Sequence, residues 1–385
     1  MKREQIGRLF CMLIALLTVF ALYGCWDYQG LGEQTIVAGI AVDLEEDSGF
    51  SLTFEIVDLN GGEGGQFGSI LLTTTGETLA EAVHDARNRL HSEVYLGVAD
   101  VVVVGRSLAE QVGITPLVRY LMQDKTARSS LYIVVAGTES AAELFAPAET
   151  EGEGEDHDAG QAEGPGTLLS KVLGESLNPH RRGAGGATVS PAAYEVYHIL
   201  SRDTSDLVLP IIGPSEAEDI PFQLDGLALF TGDRMNGTLP KDDLFAYLLA
   251  GASLREQVFP VEVNGERAVL AIRRSRVLTD FDLAGGRLQF FLNIRVTADA
   301  AQLPEGWGEM DRETIRQLET EAERALSNEV LTLIERLRDE GRDIFGLAET
   351  IWNREPELWR RIAEDWRVWL GASEINVRAE VEVET

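Results

Sequence analysis

The chain has 385 residues, with 64 acidic side chains against 33 basic ones and a formal net charge of −31. Such a surface repels nucleic acid and anionic lipid headgroups, which excludes nucleic-acid binding and simple electrostatic adhesion to a membrane. Only two cysteines are present, so no disulfide framework holds the fold, and cores must do so instead.

The first segment reads as an export signal. Lys2, Arg3 and Arg8 form a basic start, with Glu4 against the trend, and Leu9 to Leu22 form an uncharged apolar run. That run is about 14 residues, short for the ~30 Å of hydrocarbon that a spanning helix must cross. It ends in Leu22-Tyr23-Gly24-Cys25, where Leu22, Gly24 and Cys25 fit a bacterial lipobox and Tyr23 is bulkier than usual. The expectation is cleavage before Cys25 and a covalent diacylglycerol on its sulfur; an uncleaved anchor helix is the alternative. Cys11 would leave with the signal, and the body would be two charges more negative still. No other cofactor is expected.

After a short tether the pattern is α/β. Thr35–Leu44 and Ser51–Leu59 read as a hairpin, and Ile70–Thr75 as a third strand. Thr78 with Glu81 makes a capping box before a helix carrying Leu79, Val83, Ala86 and Leu90 on one stripe. Val98–Val104 is a continuous apolar strand, buried on both faces. Ser107 with Glu110 is expected to cap a helix running through Leu121, Leu131–Ala136 is another buried strand, and Ser140 with Glu143 opens a short helix ending near Phe145. These elements form an N-terminal domain over 25–148.

Residues 149–166 interrupt the pattern with seven acidic residues and five glycines. They read as a solvated insertion. Glu151, Glu153, Glu155, Asp156, His157 and Asp158 lack the order of a calcium loop, so no metal site is assigned. Helices over Thr167–Leu177 and Pro191–Leu200 follow, then strands Leu207–Ile212, Phe222–Phe230 and Met235–Thr238 and a helix Pro240–Leu249, as a middle domain over 167–255.

The remainder, 256–385, reads as a third domain. Phe259–Val263 and Ala268–Leu278 flank Asn264-Gly265, a type I′ hairpin signal. Gly285-Gly286 leads into Arg287–Thr297, whose Leu288, Phe290, Leu292, Ile294 and Val296 alternate with polar neighbours, apart from Phe291. A long helix over about Asp311–Glu340 sets Ile315, Leu318, Ala322, Leu326, Val330, Leu333 and Leu337 on one face. Helices Ile344–Asn353 and Pro356–Trp369 precede a final alternating strand, Ile375–Val383. The fold class is therefore mixed α+β: three sheet-and-helix domains behind a lipoprotein signal at 1–24.

Catalytic motifs are missing. The five histidines (His84, His91, His157, His180, His198) form no His-Glu-x-x-His, and no nucleophile elbow, dinucleotide fingerprint or phosphate loop occurs. His84 and His91 lie seven apart on one predicted helix and read as surface histidines. Trp352, Trp359, Trp366 and Trp369 read as core packing, with a partner-binding strip or a sugar platform as the alternatives. The chain does not read as an enzyme.

Several segments resemble one family. Gly24-Cys25-Trp26-Asp27 followed by Ile36-Val37-Ala38-Gly39-Ile40-Ala41-Val42-Asp43 is similar to the opening of Ger(x)C-type spore germination lipoproteins. Leu224-Asp225-Gly226-Leu227-Ala228-Leu229-Phe230 with Gly237-Thr238-Leu239 resembles that family's hairpin. Asp343-Ile344-Phe345-Gly346, Pro356-Glu357-Leu358-Trp359 and Trp366 are similar to its C-terminal signature. The resemblance implies three mixed α/β domains and the lipoprotein subunit of a spore nutrient germinant receptor. It implies a place on the outer face of the spore inner membrane and two membrane-embedded partner subunits. Only the lipidation site, Cys25, carries over residue by residue. Two other classes stay open: a solute-binding lipoprotein delivering a small ligand to a transporter, which needs a deep interdomain cleft, and a cell-envelope hydrolase, which needs convergent catalytic groups.

Overall fold

The computed structural model describes residues 34–45, 49–58, 68–146, 161–163, 168–178, 191–202, 204–215, 221–251, 257–304 and 311–384, with Gly7, Met12, Val189, Ala217, Leu254 and Trp307. Two sheets carry the fold, and the mixed α+β class expected from the sequence holds. The first sheet starts from the expected hairpin. β1 (Gln34–Leu44) and β2 (Phe50–Asp58) pair antiparallel, and β3 (Gly68–Gly76) adds beyond β2. Thr78 and Glu81 close the predicted capping box of α1 (Leu79–Leu90). β4 (Glu93–Tyr95) pairs with the start of β1, and β5 (Val101–Val104) runs parallel to the rest of it.

β5 shows why its sequence is a run of valines. Val102 and Val104 enter a core with residues of α1, and Val101 and Val103 enter a second core on the opposite face. The sequence places one capped helix after this strand, but the structure has two: α2 (Arg106–Gln111) and α3 (Thr115–Gln123). Ser107 caps neither. Glu110 instead pairs with Arg106 at 2.9 Å, and the chain turns between the helices at Gly113 (φ 91°). Pro116, with no N–H to give, fits the first turn of α3. β6 (Tyr132–Ala136) lies parallel to β5, and the Ser140–Glu143 box starts a 3-10 turn over Ala141–Phe145.

Most of the acidic insertion lies outside the described residues, but Gln161–Glu163 forms a short strand, β7, on the free edge of β3. An edge strand presents unpaired backbone groups, and these take up a segment that its composition alone would leave solvated. The stretch 167–255 then builds no sheet of its own. After α4 (Leu169–Leu177) and α5 (Ala193–Arg202), β8 (Val208–Pro214) extends the parallel run on β6, and β9 (Phe222–Thr231) and β10 (Arg234–Pro240) add antiparallel. The order is β10-β9-β8-β6-β5-β1-β2-β3-β7.

Two features of this sheet explain residues that the sequence leaves unassigned. Glu55 on β2 is fully buried, yet it accepts bonds from the N–H groups of Leu169 and Ser170 at 2.7 and 2.8 Å and from the Ser170 hydroxyl. It anchors the N-terminus of α4, where the helix dipole favours a carboxylate. Burial raises its pKa, against the lowering effect of those bonds. Gly39 lets the same helix approach, since a Cβ there would lie 2.3 Å from that of Ser170.

The second sheet is β11 (Gln257–Val263), β12 (Glu266–Ala284), β13 (Arg287–Gln302) and β14 (Glu374–Glu384), in that order. Asn264 and Gly265 both have positive φ, as the type I′ turn requires. β14 pairs parallel with β13. A helix α6 (Leu244–Gly251) precedes the sheet, and α7 (Arg312–Asp339), in the chain between β13 and β14, crosses its inner face. Leu318, Ala322, Leu326 and Val330 of α7 join Phe290, Leu292 and Ile294 in one core. Each of the larger side chains among them contributes about 1.5–3 kcal/mol on burial.

α7 also closes the edge of the sheet. The N–H groups of Ala379, Val381 and Val383 donate to Ser327, Glu323 and Glu319 at 2.9, 3.1 and 3.1 Å. Residues four apart on a helix rise ~6 Å, close to two residues of strand, so the two spacings keep step. The last strand is thereby protected from pairing with another chain.

Candidate functional site

The two sheets meet at a junction where the sequence motifs converge. The last turns of α7 change partner: Leu333 and Leu337 leave the second sheet's core and pack with Val208, Leu227, Leu229 and Leu239 of the first. Ile344 joins them, and Phe345 tilts against Tyr247 of α6 with ring centroids 5.8 Å apart. Gly226 allows the β9–β10 hairpin to supply its half, because it has φ 148° and a Cβ there would meet the Leu239 carbonyl at 2.5 Å.

A buried polar cluster ties the same two halves. Asp206, between α5 and β8, and Asp343, after α7, are 6% and 1% exposed. The Asp206 N–H donates to the Asp343 carbonyl at 2.7 Å, and the Asp343 N–H donates to the Asp206 carboxylate at 2.7 Å. Arg367 grips Asp206 with both terminal nitrogens, at 2.7 and 2.5 Å. The Asp343 carboxylate accepts the N–H groups of Leu347 and Ala348 at 2.9 and 2.8 Å, the first two of α8 (Leu347–Arg354). Burial pushes the Asp343 carboxyl up to about 6, opposed by those two bonds.

Further contacts cross the junction. The Arg202 guanidinium of α5 sits over the Trp352 ring at 4.7 Å and pairs with Glu349 at 3.6 Å. Arg342 donates to the Asn236 side chain at 2.9 Å and to its carbonyl at 3.2 Å. Each carboxylate in this set is occupied by a structural partner. The arrangement can hold two sheets in one orientation.

The expected site residues fall in three groups. Cys25 lies outside the described residues, as do Glu151, Glu153, Glu155, Asp156, His157 and Asp158. His84 and His91 do not share a helix face: His91 is the left-handed C-cap of α1 (φ 52°), and both are exposed. The tryptophans divide. Trp366 is buried edge-on to Phe290 and to Trp359, at 6.4 and 5.6 Å, and Trp369 packs on the same core. Trp352 serves the junction instead. The predicted helix Pro356–Trp369 is two, α9 (Pro356–Ile362) and α10 (Trp366–Gly371), joined by a 3-10 turn that rotates Trp366 inward. The Trp366 indole N–H has no acceptor among the described residues.

Asp206 and Arg202 were not legible as site residues. Each is a lone charge in a polar stretch, and no local pattern marks its distant partner. Among the described residues no three His, Cys, Asp or Glu side chains could share a metal ion, and no helix is long and apolar enough to cross a membrane. An apolar opening of about 160 Å³ lies between α4 and β8–β9, lined by Leu173, Leu177, Ile212 and Leu224 with Ser176 and Gln223 as its polar groups. A charged metabolite would find no counter-charge among those side chains.

Comparison with known proteins places these features in a group. Residues 27–154 match the spore germination protein N-terminal domain, and residues 225–385 match the family described as spore germination B3/GerAC like, C-terminal. Spore germination protein KC of Bacillus subtilis (strain 168) is 21% identical, covering 96% of this chain and 94% of its own. Spore germination protein B3 of the same organism is 20% identical over 90% of each. The crystal structure of the GerBC protein superposes with a TM-score of 0.56 at 15% identity, covering 90% of this chain and 97% of that one. The C-terminal match begins inside the first sheet, at the hairpin that builds the junction.

Proposed function

The chain belongs to the spore germination B3/GerAC-like family, and from that premise we propose that it is the lipid-anchored subunit of a spore nutrient germinant receptor. In this reading a diacylglycerol thioether at Cys25 holds it on the outer face of the spore inner membrane. Its body docks on two membrane-embedded subunits and stabilises or gates their assembly. The observation that carries the reading is the ordered match of both family domains, with relatives named for spore germination along nine-tenths of the chain. The physics agrees. A body about two charges more negative than the full chain's −31 gains nothing from an anionic bilayer, so attachment falls to the lipid and to protein contacts. Buried acyl chains contribute about 0.8 kcal/mol per methylene, and two chains make a stable anchor.

A clean deletion tests this directly in a strain that has no related receptor for the same nutrients. The expected result is loss of the nutrient response with germination by non-nutrient routes intact. A normal nutrient response would contradict the reading.

A further inference from the structure

The inner face of the second sheet is filled by helices; on its outer face, among the described residues, no helix packs, and Arg354 of α8 reaches over the edge to pair with Asp280. Strand register sets what that face displays. Arg276 stands directly opposite Arg295, Arg274 opposite Thr297, Leu278 opposite Asn293 and Asp280 opposite Phe291. Leu278 is 64% exposed and Phe291 37%. Between the arginines and β14 runs an open groove of about 430 Å³, with Glu380 and Glu382 on its far side.

This pattern is costly in the free protein. Like charges directly opposite on neighbouring strands destabilise a sheet. Arg295 has Glu380 at 3.4 Å, while Arg274 and Arg276 have no carboxylate within ion-pair distance among the described residues. Two exposed arginines with no carboxylate partner among the described residues, beside a third, give this face a place that an external carboxylate can meet, in a chain with nearly twice as many acids as bases.

We propose that this face is the docking surface for an extended segment of a partner protein. The segment would present carboxylates to Arg274, Arg276 and Arg295 and an apolar side chain to Leu278 and Phe291. Charge distribution selects a polypeptide over a lipid surface. An anionic bilayer presents one sign, and Glu380 and Glu382 would repel it; a polypeptide can meet the arginines with acids and the glutamates with a base or a donor. Exposed arginine next to aromatic and aliphatic anchors is the composition of strong interface centres. The inference rests on the receptor-subunit reading and names where the body would touch a membrane-embedded subunit.

The test uses the full chain co-expressed with the two membrane-embedded subunits and recovered from detergent-solubilised membranes. Arg274→Glu with Arg276→Glu should lower recovery of the partners about tenfold, with a melting temperature that is not lowered, since a carboxylate at position 276 would face Arg295, and unchanged membrane retention of the chain. Arg274→Lys with Arg276→Lys should keep most of it. Undiminished recovery with the double glutamate variant would overturn the docking surface while leaving the receptor reading in place. Failure of the unaltered chain to recover the partners would overturn both. Recovery unchanged but binding to phosphatidylglycerol vesicles lost would move this face to the lipid and overturn the proposal.

Discussion

Asp343→Ala should destabilise the folded body by about 3 kcal/mol, read as a lower urea midpoint. Removing a carboxylate that holds helix N-terminal N–H groups costs about 1–2 kcal/mol, and leaving those groups buried without an acceptor adds about 1–3 kcal/mol. Asp343 takes two such groups from α8, and its own backbone is locked to Asp206. Asp343→Asn keeps an acceptor and should lose less. The pH dependence separates the two variants. The folded pKa of about 6 lies above the ordinary 3.8, because burial penalises the charged form. The group therefore contributes stability that is full below pH 3.8 and is lost as pH rises through about 6. Across pH 4 to 7 the unaltered protein should lose stability relative to Asp343→Asn. Identical pH profiles would show that Asp343 does not titrate in this range.

Cys25→Ala should leave a body that folds with the same melting temperature but partitions into the soluble fraction. Nutrient germination should fall tenfold or more. Losing ~1.4 kcal/mol of membrane retention costs a factor of ten, and a two-chain anchor supplies far more. If the lipid serves only as an anchor, stability and function should part company at this position. A soluble variant with a full nutrient response would mean that partner contacts alone retain the body.

Local grammar was read well from the sequence, and long-range closure was not. The capping boxes at Thr78 and Ser140, the Asn264-Gly265 turn and the α7 stripe each depend on residues within a few positions, and each is present. The fate of 167–255 depends on β8 meeting β6 across about 70 residues, and no periodicity records that choice. The same holds for polar groups. Glu55 sits between Phe54 and Ile56 in β2, and its face is covered by a helix more than 100 residues on. At the candidate site, Asp343-Ile344-Phe345-Gly346 stood out as a motif, and its role became visible only beside Asp206 and Arg367. A motif marks one side of a contact; the other side here is a single aspartate.

The junction also bears on how the protein could work. Two sheets are joined by a shared helix, a common apolar cluster and a buried carboxylate–arginine pair. The closed β14 edge keeps the protein from pairing with another copy by its last strand.

The most direct measurement is recovery of the full chain from solubilised spore membranes, with the co-purifying proteins identified by mass. The account predicts two membrane-embedded germinant-receptor subunits in constant ratio to the chain. Recovery of the chain alone, under detergent conditions that keep those two subunits together, would contradict it.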